Sequence, residues 1–260
     1  MTMETQEAMP SETEVQRGNE AMPSEKEALA RLMGLAVFGE RVAARTYNLC
    51  AKLEPRHRDL LRRFAQMEGQ HALWFKQASE ANGVTPDKEF AEQELGYLLE
   101  QVDAYFEAGD FDALLVVQGF IVESLAIATY APYLEVAEKY PGTKEVFQRA
   151  LDEEHYHVDW VIRCLRLRWF DDDEGFLALT RRVNVQGIDC IGGSLMNIAS
   201  SLDRIGLSGA DSAGAMMDGY TELLERVGID RRPATRNVVS LFMPLMRKYR
   251  SQRRAEVAHA

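Results

Sequence analysis

Glu68-Gly69-Gln70-His71 and Glu154-His155-Tyr156-His157 decide how this chain folds. Both read Glu-x-x-His, and each lies inside a long proline-free segment with apolar residues at helical spacing. On a helix, positions i and i+3 sit about one turn apart on one face, so each motif points a carboxylate and an imidazole the same way. Two further glutamates, Glu40 and Glu123, occupy the middle of two other helical segments. The same-face neighbours of all four carboxylates are small or apolar. They include Val37 and Ala43 for Glu40, Phe64 and Ala72 for Glu68, Phe120 and Ile127 for Glu123, and Leu151 and Val158 for Glu154. Each carboxylate therefore interrupts a stripe that should face a core, where an unpaired ionised carboxylate is very costly. Lysine and arginine are absent from those stripes near the glutamates, which leaves a cluster of bound cations as the economical way to neutralise them.

Two lone glutamates and two Glu-x-x-His pairs from four helices form the ligand set of ferritin-like di-iron and di-manganese carboxylate bundles. One such motif alone reads as a solvated helix face. The order Glu, Glu-x-x-His, Glu, Glu-x-x-His reads as a metal site. The expected fold is all-α: a ferritin-like four-helix bundle with a di-metal core and additional C-terminal helices.

Composition agrees. The chain has 260 residues, 46% hydrophobic and 27% charged, enough for one sizeable core. A net charge of −11 argues against nucleic acid as a partner. No apolar run is expected to approach the roughly 18–20 residues of a membrane span. The polar, acidic N-terminus matches neither a secretory signal nor an Arg-rich transit peptide. Three cysteines, Cys50, Cys164 and Cys190, without a C-x-x-C pair, read as reduced thiols of a cytoplasmic protein.

Residues 1–25 lack apolar periodicity and read as a disordered acidic tail in which Glu-Ala-Met-Pro-Ser-Glu occurs at 7–12 and again at 20–25. Residues 26–250 read as a single helical domain, and 251–260 as a flexible end. Ser24 followed by Glu27 is a capping-box pattern that opens a helix over about 25–53. Further helices are expected over about 56–82, 88–107, 111–139, 143–169, 174–205, 210–227 and 232–247. Pro132 should kink the fourth of these. Asp171-Asp172-Asp173-Glu174 reads as a helix N-terminal signal, not a calcium loop. Gly187, Gly192 and Gly193 lie mid-helix, where close packing or an opened cavity would compensate their poor helix propensity.

Over about residues 30–245 the sequence resembles the aldehyde-deformylating oxygenases, also called long-chain fatty aldehyde decarbonylases. The resemblance rests on Gly39-Glu40, Met67-Glu68 with His71, Val84-Thr85-Pro86-Asp87 and Gln118 ahead of Glu123. It continues through Ala126-Ile127-Ala128 with Tyr130 and Tyr133, then Glu154 with His157. It implies that Glu40, Glu68, His71, Glu123, Glu154 and His157 bind two iron ions, a donor set that manganese shares. It implies catalytic-site roles for Gln118 and Tyr130, together with Tyr47, in orienting ligands or lining the pocket. It further implies an apolar aldehyde as substrate, dioxygen, a ferredoxin-type electron donor, and alkane biosynthesis with formate as co-product.

Three departures stand out: the segment from Glu123 to Glu154 is about two residues longer, Glu153 replaces an aspartate, and helix six carries Asp189 and Gly192-Gly193 near the expected substrate channel. The last favours a bulkier or more polar substrate. Another di-iron oxygenase, such as an N-oxygenase or hydroxylase, and non-catalytic iron storage are the rival readings.

Overall fold

Ser24 opens the first helix as the capping box requires: its hydroxyl accepts from the Glu27 amide at 3.3 Å, and its own amide donates to Glu27 Oε2 at 2.7 Å. Helix α1 then runs Glu25–Leu53. A 3₁₀ turn at Pro55–His57 leads into α2, Arg58–Ala81, and Asp87 caps α3, Lys88–Glu107, by accepting from the Phe90 amide. Asp110 caps α4, Phe111–Val116, which passes through a π-helical segment, Val117–Val122, into α5, Glu123–Tyr133. Helices α6 (Thr143–Asp171), α7 (Asp173–Ile205) and α8 (Gly209–Val227) follow, and residues 231–240 are also helical. Asp172 caps α7 through Gly175, as the acidic run predicts. No strand occurs among the described residues.

The computed structural model describes residues 23–240 together with 242, 243, 247 and 251, without the side chains at 185, 186, 188–192, 195 and 196. The repeated acidic tail, nearly all of the C-terminal end, and the side chains of Asp189, Cys190 and Gly192 fall outside the described residues.

Two sequence expectations need correction. The fourth helix does not reach residue 139; it stops at Tyr133, one residue past Pro132. Proline offers no amide to continue the ladder, and the Leu134, Glu135 and Val136 amides turn back onto carbonyls three or four residues behind. That turn lets Tyr133 stack on Tyr140 and on Phe147, the latter at 4.1 Å between ring centres. Second, Phe111–Tyr133 is a continuous 23-residue helical stretch that is long and apolar enough to cross a membrane. Most of it is buried inside this fold, which is the behaviour of a core helix.

Helices α1, α2, the α4–α5 unit and α6 pack around a common axis, while α3 and α7 cover α1, and α8 covers α5 and α6. The buried apolar side chains fall into two clusters along that axis. On α2 one cluster takes Leu61 and Phe64 and the other Ala72 and Phe75; on α6 the division falls between Leu151 and Val158. Between them lie Glu68, His71, Glu154 and His157.

The Val84-Thr85-Pro86-Asp87 loop is fastened to α1. The Asp87 amide donates to the Ala30 carbonyl at 2.8 Å, and a Cβ on Gly34 would meet the Asp87 carbonyl oxygen at 2.3 Å. Only glycine permits that backbone approach. Gly96, on α3, has no such neighbour. Gly34→Ala is therefore expected to lower stability by about 1–3 kcal/mol, and Gly96→Ala to raise it by up to about 1 kcal/mol. Chemical denaturation of the two variants, with opposite shifts in midpoint, checks this.

Candidate metal centre

The six residues singled out by spacing converge. Glu40 comes from α1, Glu68 and His71 from α2, Glu123 from the start of α5, and Glu154 and His157 from α6. All are at most 3% exposed. Their donor atoms form two quartets, Glu40, Glu68, His71, Glu154 and Glu68, Glu123, Glu154, His157, each with all atoms within 4.8 Å of one another. Glu68 and Glu154 belong to both. Glu68 turns Oε2 to His71 Nδ1 at 3.2 Å and Oε1 to His157 Nδ1 at 2.9 Å. Glu154 turns Oε1 to His71 at 3.2 Å and Oε2 to His157 at 3.1 Å. Each of these carboxylates thus offers one oxygen to either side, the arrangement of a bridge between two cations.

The donor set fits such cations on its own evidence. Both oxygens of Glu68, Oε1 of Glu154 and Nδ1 of His71 are fully buried, yet make no hydrogen bond. Buried polar atoms are nearly always satisfied, so lone pairs that converge without protons between them mark a position for a Lewis acid. Electrostatics agree. Burial, reinforced by the Glu154 charge, pushes the carboxyls of Glu40 and Glu123 well above the ordinary carboxylate range. Burial also opposes ionisation of Glu154, but the histidines beside it outweigh burial and hold its pKa low. Burial would lower His157, yet Glu154 and Glu68 raise it to about 9, and Glu154 with Glu40 raises His71 further still.

Around this set lies a ring of donors. The Tyr130 hydroxyl donates to Glu40 Oε1, and Tyr47 donates to Glu123 Oε1 at 2.8 Å. Burial, strengthened by the neighbouring glutamates, keeps both phenols protonated. Gln118 Nε2 donates to the same Glu123 oxygen at 2.9 Å. Residues five apart point roughly 140° away from each other on an α-helix of 3.6 residues per turn. The π segment removes that difference: the Glu123 amide bonds the Gln118 carbonyl, placing i and i+5 one above the other. This segment is held closely. A Cβ on Gly119 would meet Val161 Cγ1 at 2.6 Å, and one on Gly187 would meet Ile121 Cδ1 at 2.1 Å. The close packing expected of the mid-helix glycines of α7 is met at Gly187; a Cβ on Gly193 would touch nothing within 4 Å.

His71 Nε2 lies 2.9 Å from Glu153 Oε2, and the other Glu153 oxygen accepts from Arg149 at 3.2 Å. Arg149 in turn lies 3.9 Å above the Trp74 ring, which neighbours His71. Arg149 and Trp74 escaped the sequence reading. Their spacings were visible, Arg149 four residues before Glu153 and Trp74 three after His71, but nothing marked them apart from ordinary helix-surface residues. His157 differs. Its Nε2 has no partner, and its ring packs on Phe64 and Tyr47.

An apolar cavity of about 70 Å³ adjoins the centre. Gly39, Tyr130 and Val122 bring its wall beside Glu40 and Glu123, while Leu95, Leu98 and Ile198 from α3 and α7 close it.

Among solved structures, the chain is similar to a Synechococcus protein described as having aldehyde deformylating oxidase activity. The two share 28% identity, with a TM-score of 0.77 over 83% of this chain and 96% of that one. The family model for long-chain fatty aldehyde decarbonylase matches residues 23–242, which include all six converging residues. The chain belongs to the long-chain fatty aldehyde decarbonylase family.

Proposed function

We propose that this chain is an aldehyde-deformylating oxygenase acting on an apolar aldehyde, with Glu40, Glu68, His71, Glu123, Glu154 and His157 holding two iron ions. The two donor quartets that share Glu68 and Glu154 carry this reading. The balanced reaction is R–CHO + O2 + 4 e− + 4 H+ → R–H + HCOOH + H2O: the C1–C2 bond breaks, C1 leaves as formate, and the chain end takes a proton. Iron, when bound, supplies the dioxygen and redox chemistry that no side chain here can supply.

The protein contributes placement. The cavity wall of leucine, valine, alanine and phenylalanine would bind the hydrocarbon and keep bulk water from the carbonyl end. Because the described lining is so apolar, a long-chain aldehyde fits better than a polar substrate. Tyr130 would fix Glu40, and Tyr47 with Gln118 would fix Glu123, leaving the second oxygen of each carboxylate for metal. These act as positioning residues. Tyr130 also borders the cavity, where its phenol could move a proton. A ferredoxin-type protein is the proposed electron source. Cys50 and Cys164 are free thiols whose pKa burial raises, Cys164 to about 11, which suits a cytoplasmic setting.

Iron-loaded protein given a long-chain aldehyde, reductant and air is expected to release formate and the one-carbon-shorter alkane in equal amounts; dioxygen uptake without formate would refute the reading. Metal analysis should find two ions per chain in the wild type. Glu68→Ala, which removes a shared ligand, should lower occupancy at both positions. Chelation should lower the melting temperature of the wild type, because ions that bind only the folded chain stabilise it by mass action. Tyr130→Phe should keep the fold and lose roughly 10–100-fold in activity or metal affinity, as expected for an outer hydrogen bond to a ligand.

A further inference from the structure

Aromatic contacts connect both imidazoles to one surface seam, where α2 and α6 run side by side. From His71, the Trp74 ring lies 5.4 Å away and is partly exposed, with Arg149 over it. From His157, Phe64 lies at 4.6 Å and touches Tyr156 at 5.5 Å and Trp160 at 5.8 Å. Tyr156 is 54% exposed. Along α6 the same face continues through Arg163 to Leu167 and Phe170, two large apolar side chains about two-thirds exposed. Contiguous exposed apolar groups of this kind mark interaction surfaces.

The end of the seam around His57 and Trp160 carries charge opposite to the rest of the chain, while Asp152, Glu153 and Asp159 lie farther back along α6. Residues 55–66 hold four arginines and one acid, Asp59, while residues 160–170 hold three arginines and no acid. Contact between His57 and Trp160 brings the two segments together. The whole chain has a net charge of −11. Arg58, Arg62, Arg63 and Arg163 make no ion pair among the described residues, so their charge faces solvent. A basic patch on an acidic protein steers an acidic partner and sets its orientation.

We propose that this seam is the docking face of the electron donor, an acidic one-electron carrier protein. Its electrons enter through Trp74 toward His71 and through Phe64 toward His157. The inference rests on the oxygenase reading, which requires external electrons. Each encounter oxidises the carrier by one electron, and four encounters with four protons from water satisfy the balance above. Transient redox encounters use small, charge-steered surfaces, which a seam of arginines around partly exposed rings provides. The ring contacts favour a redox protein over any other acidic partner, because only that partner gains from reaching the imidazoles.

The test compares wild type with the double variant Arg63→Glu, Arg163→Glu, and with a control on other helices, Lys88→Glu, Arg204→Glu, exposed positions at the start of α3 and the end of α7. Turnover is driven either by a plant-type [2Fe–2S] ferredoxin kept reduced by its NADPH-dependent reductase, or by NADH with phenazine methosulfate. The seam variant is expected to raise KM for ferredoxin about tenfold and flatten its salt dependence, with turnover on the small reductant unchanged and the control near wild type. An unchanged ferredoxin KM in the seam variant, or an equal rise in the control, would overturn the proposal. So would an unchanged KM combined with loss of self-association in sedimentation, which would assign the seam to a second copy of the chain. If neither reductant yields formate with the wild type, the oxygenase reading fails. Calorimetric titration of ferredoxin into the metal-loaded proteins then decides docking separately, with seam-dependent binding upholding it and its absence ending it.

Discussion

Four carboxylates buried to 3% exposure or less in an apolar helical core are the constraint to which the rest of this structure answers. Moving one such ion out of water costs several kcal/mol even after relaxation, and like charges held together add to it. Among the described residues no lysine or arginine pairs with them; Arg149 pairs instead with Glu153, which touches His71. Two divalent cations would balance four carboxylates and leave the imidazoles neutral. The apolar side chains part accordingly into two clusters, and the polar girdle fills the gap between them.

That girdle is nearly two-fold symmetric inside and unsymmetric outside. The shared glutamates treat both histidines alike, but His71 reaches a carboxylate through Nε2 while His157 Nε2 has no hydrogen-bond partner among the described residues. Glu40 takes one outer donor and Glu123 two. The outer differences sort by direction. Toward α1 and α5 the surroundings are Tyr130, Gly39 and the cavity; toward the α2–α6 seam they are Glu153, Arg149, Trp74 and the rings around Phe64. One side of the centre is apolar, and the other is charged and near solvent.

The convergence of the six buried residues was legible because burial forces their pattern: an acid that recurs at core-facing helical positions has few physical explanations. The capping residues Ser24 and Asp172 were legible for a similar reason, since their chemistry is local. What escaped depended on departures from α-helical periodicity or on tertiary packing. Gln118 drew attention only through family resemblance, because an α-helical wheel turns it away from Glu123; the π segment that reconciles them has no composition of its own. Pro132 reads as a kink in isolation but acts as a stop, because Tyr133, Tyr140 and Phe147 stack across the turn that follows. The loop Val84-Thr85-Pro86-Asp87 was recognisable as a pattern, but its reason, the approach of Asp87 to Gly34, exists only in three dimensions. The apolar character of Phe111–Tyr133 was plain, but Asp112 and Glu123 interrupt it, so its membrane-like length does not show as one unbroken apolar run.

A bare four-helix bundle would suffice to hold the six donors, so helices α3, α7 and α8 need a separate account. Leu95 and Leu98 from α3, Ile198 and Leu202 from α7 and Ser212 from α8 all line the apolar cavity. Without them the faces of α1 and α5 beside Glu40 and Glu123 would meet water. Storage of iron would ask for the opposite, a polar route along which hydrated ions reach the centre, because stripping water from a divalent cation in an apolar passage is prohibitive. A largely apolar wall beside the six converging residues favours poorly hydrated guests such as dioxygen or a hydrocarbon tail and discourages ions. The added helices thus give the bundle an apolar compartment beside the six converging residues, and those residues alone could not have distinguished a storage site from a compartment of this kind.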